Sequence, residues 1–346
     1  MTDLARWLGI THPVLQAPMA GVQAHAMAAA VSNAGGLGAL PAAMLGPDAL
    51  HRELAALAAA TSAPYNVNFF CHPTPRPDTR REARWRAALD PAYEEAGIDP
   101  ATIPPGPGRA PFTHEVADVV EPFRPAVVSF HFGLPSPDLL ARVKRWGSKV
   151  LASATTVDEA RWLEAQGADA VIAQGVEAGG HRGLFLSDDL GTQLGSFALW
   201  PQVVQAVKLP VVAAGGIADA AGVRAARALG VAGVQVGTAY LLCDEASTGA
   251  LHRAALKTDA PTALTNIFTG RPARGIVNRA MRDWGPVNPL APAFPLATAA
   301  MVPLRAWAEA RGCADFTPLW SGQNRSGCRE GPAAALTREL AAAWAG

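Results

Sequence analysis

Two glycine-rich turns and two histidines carry most of the chemistry this sequence can offer. In PVVAAGGIAD, Gly215, Gly216 and Ile217 stand between an apolar run and a helix start, and in GVQVGTAY, Gly237 and Thr238 stand in the same place. Glycine lets backbone N–H groups close on an anion, and a helix N-terminus adds the positive end of its dipole. One such turn alone reads as a tight turn; two in adjacent units favour a phosphate site. A third loop, QGVEAGGHRG over 174–183, holds His181 among glycines. There an imidazole can approach a ligand closely, and because it titrates near neutral pH it can accept or share a substrate proton. His181 is therefore the first candidate for a catalytic role, while Glu177 and Arg182 beside it are surface residues or supports of the pocket. His131, in SFHFG, has two readings of equal weight: a hydrogen-bonding partner of an anionic substrate, or a buried histidine satisfied by structure. His12, His25, His51, His72, His114 and His252 lack comparable context and read as structural or solvated.

Chemistry of this kind needs a frame that brings distant loops to one face. Short apolar runs recur at a fairly even interval, each bounded by Gly, Pro or Asn and followed by an Ala-rich amphipathic stretch, the pattern of βα units. The expected strands are Val14–Ala17, Gly38–Leu40, Tyr65–Phe70, Ala126–Phe130, Lys149–Ser153, Ala170–Ala173, Pro210–Ala214 and Gly233–Val236. Their continuous apolar character marks a buried parallel sheet. Helices are expected over Val157–Gln166 and Ala218–Leu229, the second stopping before Gly230. The count predicts an α/β fold, a (β/α)8 TIM barrel, with its site at the C-terminal ends of the strands. A doubly wound open sheet is the runner-up, and the lack of G-x-G-x-x-G after the first strand argues against its dinucleotide-binding form.

Two stretches break the rhythm. Residues 71–113, rich in Pro, Arg and Gly, form an insertion after the third strand and are expected to make a lid or shoulder over the pocket. Residues 250–346, ending in a helix over Pro332–Trp344, are expected to form a helical cap and tail on the same single domain of 1–346.

Composition narrows the partners. With 29 acidic against 29 basic residues and no basic block, the chain carries no electrostatic footprint for nucleic acid or an anionic membrane. A small neutral or anionic substrate is expected. The N-terminus lacks a basic segment followed by an apolar one, and no run approaches the roughly 20 apolar residues of a membrane span, so a cytoplasmic protein is expected. Cys71, Cys243, Cys313 and Cys328 form no C-x-x-C pair and read as free thiols, with no metal site. The expected assembly is a monomer or a weak homodimer.

The stretches LQAPMAGVQ, AAAVSNAGGLGAL, YNVNFFCHPTP, VVSFHFGLP, AQGVEAGGHRG, PVVAAGGIAD, GVQVGTAYLLCDEA, TNIFTGRPARG and PLWSGQ, in that order, span nearly the whole chain. Together they resemble the nitronate monooxygenase family, formerly grouped with nitropropane dioxygenases. AQGVEAGGHRG with PLWSGQ is similar to the class of that family that does not use reduced nicotinamide. The resemblance implies FMN, bound noncovalently at the C-terminal face of the barrel. Carried over by position, it puts Asn68 beside the flavin, and Gln174 and Gly179 around its ring and ribityl chain. Gly216 and the run Gln235, Val236, Gly237 and Thr238 would hold the phosphate, in agreement with the glycine argument. Ala17, Pro18 and Met19 would also line the flavin, and His181 matches the family's active-site histidine. The sequence departs from the pattern at Gln23-Ala24-His25, where the family has a small polar residue and a proline.

The implied reaction is oxidation of a small alkyl nitronate, such as propionate-3-nitronate, with O2 to a carbonyl compound and nitrite or nitrate. A nitronate already carries its negative charge, so no proton need be removed. His181 then positions the nitronate by hydrogen bonding and acts as a base only for a neutral nitroalkane. One alternative is an NAD(P)H-dependent flavin reductase of quinones or enoyl thioesters, since related barrels share the glycine turns; it predicts rapid flavin reduction by NADH. Another is a catalytically idle flavin- or phosphate-binding barrel, which predicts that His181→Ala leaves any role intact.

Overall fold

In the computed structural model, which describes residues 3–104 and 109–346, the eight apolar runs form eight parallel strands. They are β1 (Val14–Gln16), β2 (Gly38–Pro41), β3 (Tyr65–Phe70), β4 (Val127–His131), β5 (Lys149–Ala154), β6 (Ala170–Gln174) and, past a two-residue strand β7 (Gly180–His181), β8 (Val211–Ala214) and β9 (Gly233–Val236). The seventh and eighth barrel strands are thus β8 and β9. Strand ends differ from the sequence expectation by a residue where a neighbour sets the register; β4 runs on to His131 because His131 pairs with Phe70 of β3. The strands lie in the order β1-β9-β8-β6-β5-β4-β3-β2. Leu37 N to Val14 O (2.9 Å) and Gln16 N to Leu37 O (3.0 Å) close the ring between β2 and β1. This is a TIM barrel, with an insertion after β3 and a C-terminal extension.

The helices fall within two residues of the expectation, the largest shift being the start of the one expected from Ala218, which begins at Ala220 because Asp219 caps it. Thr156 caps the helix Val157–Ala165 by accepting from Glu159 N, and Asp219 caps Ala220–Ala228 by accepting from Gly222 N. The latter helix ends before Gly230, whose φ of +87° suits a residue without Cβ. The two ends of the barrel are built differently. Leu4, Ala5 and Leu8 of the first helix, Asp3–Leu8, pack with Leu15, Leu37, Val127, Leu151 and Val212 and plug the amino end with hydrocarbon. The carboxyl end is left for the loops.

The final helix, Ala333–Ala345, packs on Ala220–Ala228, on the helix His25–Asn33 and on β1. It takes the place of the eighth barrel helix, so residues 238–332 are an excursion between β9 and that helix. Besides its own helices the excursion carries an antiparallel hairpin, β10 (Thr262–Thr265) with β11 (Ala273–Ile276). β7 adds to β11, pairing His181 with Ala273, and so ties the loop after β6 to the extension. In the insertion, the helix Thr79–Ala96 packs on Thr298–Glu309 of the extension; Trp85, Leu89 and Tyr93 meet Met301, Leu304 and Phe316 in a second core. Insertion and extension together form a shoulder beside the carboxyl end; the Pro-Gly run 105–108 lies outside the described residues. Among the described residues no helix is long and apolar enough to cross a membrane.

Candidate active site

The carboxyl ends of the strands open on a cavity of about 560 Å³. His181 stands in its wall, on the short β7. Its Nε2 lies 2.9 Å from Thr269 Oγ1, and among the described residues Nδ1 has no partner. The rings of Phe294 (5.3 Å), Trp320 (5.6 Å), Phe132 (6.1 Å) and Phe70 (6.2 Å) surround it. Burial, reinforced by the charges of Arg109, His131, Arg271 and His72, holds its pKa well below the usual 6.5. The ring is therefore neutral at neutral pH.

His131 also lines the cavity, but both ring nitrogens have partners within the chain. Nε2 lies 3.1 Å from the carbonyl oxygen of His181, and Nδ1 lies 3.0 Å from Ser153 Oγ. A carbonyl only accepts, so Nε2 carries the proton and Nδ1 accepts from the serine hydroxyl. Burial pushes this pKa down to about 3, against the opposing pull of the bond to His181. Gln174 grips the same loop from β6: Nε2 donates to His181 O (3.0 Å), and Oε1 accepts from Gly183 N (2.8 Å).

Glu177 and Arg182 are supports. Arg182 is fully buried and donates to Gln193 Oε1 (2.9 Å), Gly175 O (2.7 Å) and Gln174 O (2.7 Å). Glu177 accepts from Ser196 N (2.9 Å) and Ser196 Oγ (2.7 Å). The buried carboxylate of Glu159 completes the frame, taking Thr155 N (2.7 Å) and Phe185 N (2.6 Å).

The glycine turns form the other wall. Gly215 and Gly216 have φ of +105° and +73°, and the Gly216 carbonyl accepts from Asn324 Nδ2 (3.0 Å). A Cβ on Gly179 would stand 2.5 Å from Gly322 N, and one on Gly237 3.3 Å from Ala17 Cβ. Thr238 Oγ1 accepts from Gly322 N (2.9 Å). Gly179, Gly216, Gly237 and Thr238 all line the cavity, and among the described residues their backbone N–H groups have no acceptor. Gln235 lines it too, with Oε1 buried and unpartnered. Asn68 donates through Nδ2 to Ser129 Oγ (2.9 Å) at the cavity wall. Ala17, Pro18 and Met19 line it as well. Val236 stands apart: its side chain is buried between strand and helices, and its carbonyl accepts from Ala17 N (2.8 Å), so only its backbone is near.

At the departure from the family pattern, Gln23 is buried and bonded to Gln16 Oε1 (3.2 Å) and Ala39 O (2.5 Å), and His25 pairs with Glu53 (2.9 Å). Both residues hold the start of the barrel together. Thr269, Phe294, Trp320 and Arg109 carry no role in the sequence reading, whereas His72, read there as structural or solvated, is buried and bonded to the Arg109 carbonyl (2.8 Å). Thr269 and Trp320 lie in the family-like stretches TNIFTGRPARG and PLWSGQ; nothing local distinguishes Arg109 or Phe294.

A closed parallel barrel whose carboxyl-end loops gather unpaired N–H groups on one wall and a neutral histidine among aromatic rings on the other defines a (β/α)8-barrel enzyme. A family model described as nitronate monooxygenase matches residues 2–343. The chain belongs to the nitronate monooxygenase family, and with it to the oxidoreductases. A nitronate monooxygenase of Pseudomonas aeruginosa is 45% identical, over 98% of both chains. Nitroalkane oxidase from Streptomyces ansochromogenes superposes with a TM-score of 0.89 at 41% identity, covering 99% of this chain and 98% of that one. FabK from Thermotoga maritima is more distant, with a TM-score of 0.73 at 26% identity over 100% of this chain and 96% of its own.

Proposed function

We propose that this protein binds FMN and oxidises small alkyl nitronates with O2 to a carbonyl compound and nitrite or nitrate. The observation that carries this reading is His181, neutral and ringed by aromatics, its Nδ1 without a partner among the described residues, in one cavity with the glycine turns.

The residues present fit FMN. The unpartnered Gln235 Oε1 offers an acceptor, and the lack of a Cβ at Gly179 and Gly237 lets their backbone pack against Gly322 and Ala17 in the cavity wall, which keeps their N–H groups at its surface. The N–H groups of Gly216, Gly237 and Thr238, without acceptors among the described residues, suit a phosphate, with Val236 contributing only through its backbone. Asn68, Gln174 and Gly179 would lie toward the ring. When bound, FMN supplies the path for electrons from the nitronate to O2.

The protein's own part is orientation. A nitronate presents negative oxygens and needs a donor. His181 supplies one from Nδ1–H when the Thr269 hydroxyl turns from the Arg271 carbonyl (3.4 Å) to donate to Nε2. The opposite tautomer leaves Nδ1 as an acceptor, the form a neutral nitroalkane requires. Because the pKa of His181 lies well below its usual value, that acceptor is a weak base, which favours nitronate over nitroalkane. His131, with both nitrogens engaged, positions the His181 backbone rather than the substrate.

Anaerobic mixing of the yellow holoprotein with propionate-3-nitronate, and separately with NADH, tests this. A change in the visible flavin spectrum with nitronate and none with NADH is expected. Bleaching by NADH alone transfers the protein to the NAD(P)H-dependent flavin reductases, and a colourless protein removes the cofactor on which both readings depend.

A further inference from the structure

Among the described residues, one cation in the cavity wall has no counter-charge. Arg109, at the end of the insertion, lines the cavity with its guanidinium carbon 5.4 Å from the Phe294 ring centre. The same ring lies 5.3 Å from His181, which puts Arg109 on the reacting side and away from the glycine turns. Its backbone is anchored, since the Arg109 carbonyl lies 2.8 Å from His72 Nε2. Its side chain makes no ion pair and no hydrogen bond with any described residue.

The other cation in the wall is already paired. Arg305 donates to Glu309 Oε1 (2.8 Å), and that carboxylate also takes the Thr317 hydroxyl (2.9 Å). Nearby Arg271 is turned away, over the Phe132 ring and onto the Leu184 carbonyl. Burial alone pulls Arg109 below its ordinary pKa, yet a guanidinium stays charged at neutral pH. A partly buried cation without an anion is a standing cost to the fold that an anionic ligand offsets.

We infer that Arg109 is a specificity-determining residue: its guanidinium receives a carboxylate carried by the substrate, so that the cavity selects carboxylated nitronates over plain alkyl nitronates. The inference rests on the nitronate reading of this cavity. The nitronate group takes the donor at His181 Nδ1, and the planar fork of Arg109 matches a carboxylate through two parallel hydrogen bonds. A substrate with anions at both ends is then held in one direction, its reacting carbon between the two contacts.

The experiment compares the holoenzyme with its Arg109→Gln and Arg109→Lys variants on propionate-3-nitronate and propyl-1-nitronate. The ratio of kcat/KM for the carboxylated over the plain nitronate is expected to fall about tenfold or more in Arg109→Gln, with KM carrying the change, and to recover in part in Arg109→Lys. A ratio unchanged in Arg109→Gln overturns the assignment, whether both substrates weaken equally or neither does. A second measurement does not depend on turnover. 3-Nitropropanoate, unlike 1-nitropropane, is expected to raise the melting temperature of the wild type and of Arg109→Lys but not of Arg109→Gln. If that pattern holds while neither nitronate is consumed, the carboxylate site stands and the nitronate reading falls; if 3-nitropropanoate protects Arg109→Gln as well as the wild type, the role of Arg109 falls by itself.

Discussion

The two ends of this barrel spend their residues on opposite things. At the amino end, Leu4, Ala5 and Leu8 fill the ring with hydrocarbon, and every contact there adds to stability. At the carboxyl end the cavity wall carries two neutral histidines and, among the described residues, an unpaired arginine, an orphaned glutamine oxygen and four N–H groups without acceptors. The arginine, the glutamine oxygen and the N–H groups are each unfavourable until something binds. One end holds the fold together, and the other stores polar groups at the cost of stability, as (β/α)8 enzymes do at their active face.

The comparison breaks first at His181. His181→Asn is expected to lower nitronate turnover about 100-fold or more while flavin content per protein stays at the wild-type level. Turnover within a few-fold of wild type would show that the polar end does not work through this ring. At the opposite end, Leu8→Ala should cost about 2–5 kcal/mol in denaturant unfolding and leave the kinetics of the folded fraction unchanged. An activity loss out of proportion to unfolding would mean the two ends are not separable.

Acid should find the carboxyl end. His131 and His181 have folded pKa values below the usual 6.5, His131 at about 3. The unfolded chain therefore binds protons that the folded one refuses. Their contribution is fully present above about pH 6.5 and is lost as the pH falls toward the folded values. The melting temperature is expected to decline on acidification from pH 7 to 4, and His131→Gln to flatten the decline. Identical slopes in the two proteins would remove His131 as a cause. The smallest effect is assigned to Thr269→Val, which deletes one hydrogen bond to the His181 ring and should reduce kcat several-fold, in line with a net value of about 1 kcal/mol. A pH profile that shifts with this variant would sharpen the tautomer assignment.

Much of the frame was legible. β3 and β9 fall on their expected residues, because a strand buried on both faces needs an unbroken apolar run with punctuation at each end. The candidate loop after β6 stands out because a histidine flanked by glycines is unusual, and the glycine turns because they recur in adjacent units. Arg182, by contrast, looked like a surface residue or a prop, and only its burial and three acceptors decide the matter. His131 has two readings in the sequence, and the partner of its Nε2, the carbonyl of His181 fifty residues away, is visible only in the fold.

The sequence by itself determined the eight apolar runs, the family motifs, and hence the barrel and the face on which chemistry can occur. Those properties are written in short-range periodicity and in residue types that no context overrides. Only the tertiary structure decided that β7 joins β11, that Thr269 meets the His181 ring, and that Arg109 faces the cavity with no carboxylate partner among the described residues. These depend on where the insertion after β3 and the excursion after β9 come to rest. Their docking is set by packing between segments some two hundred residues apart, as in the bond from Tyr93 to the Ala300 carbonyl, which no local pattern encodes.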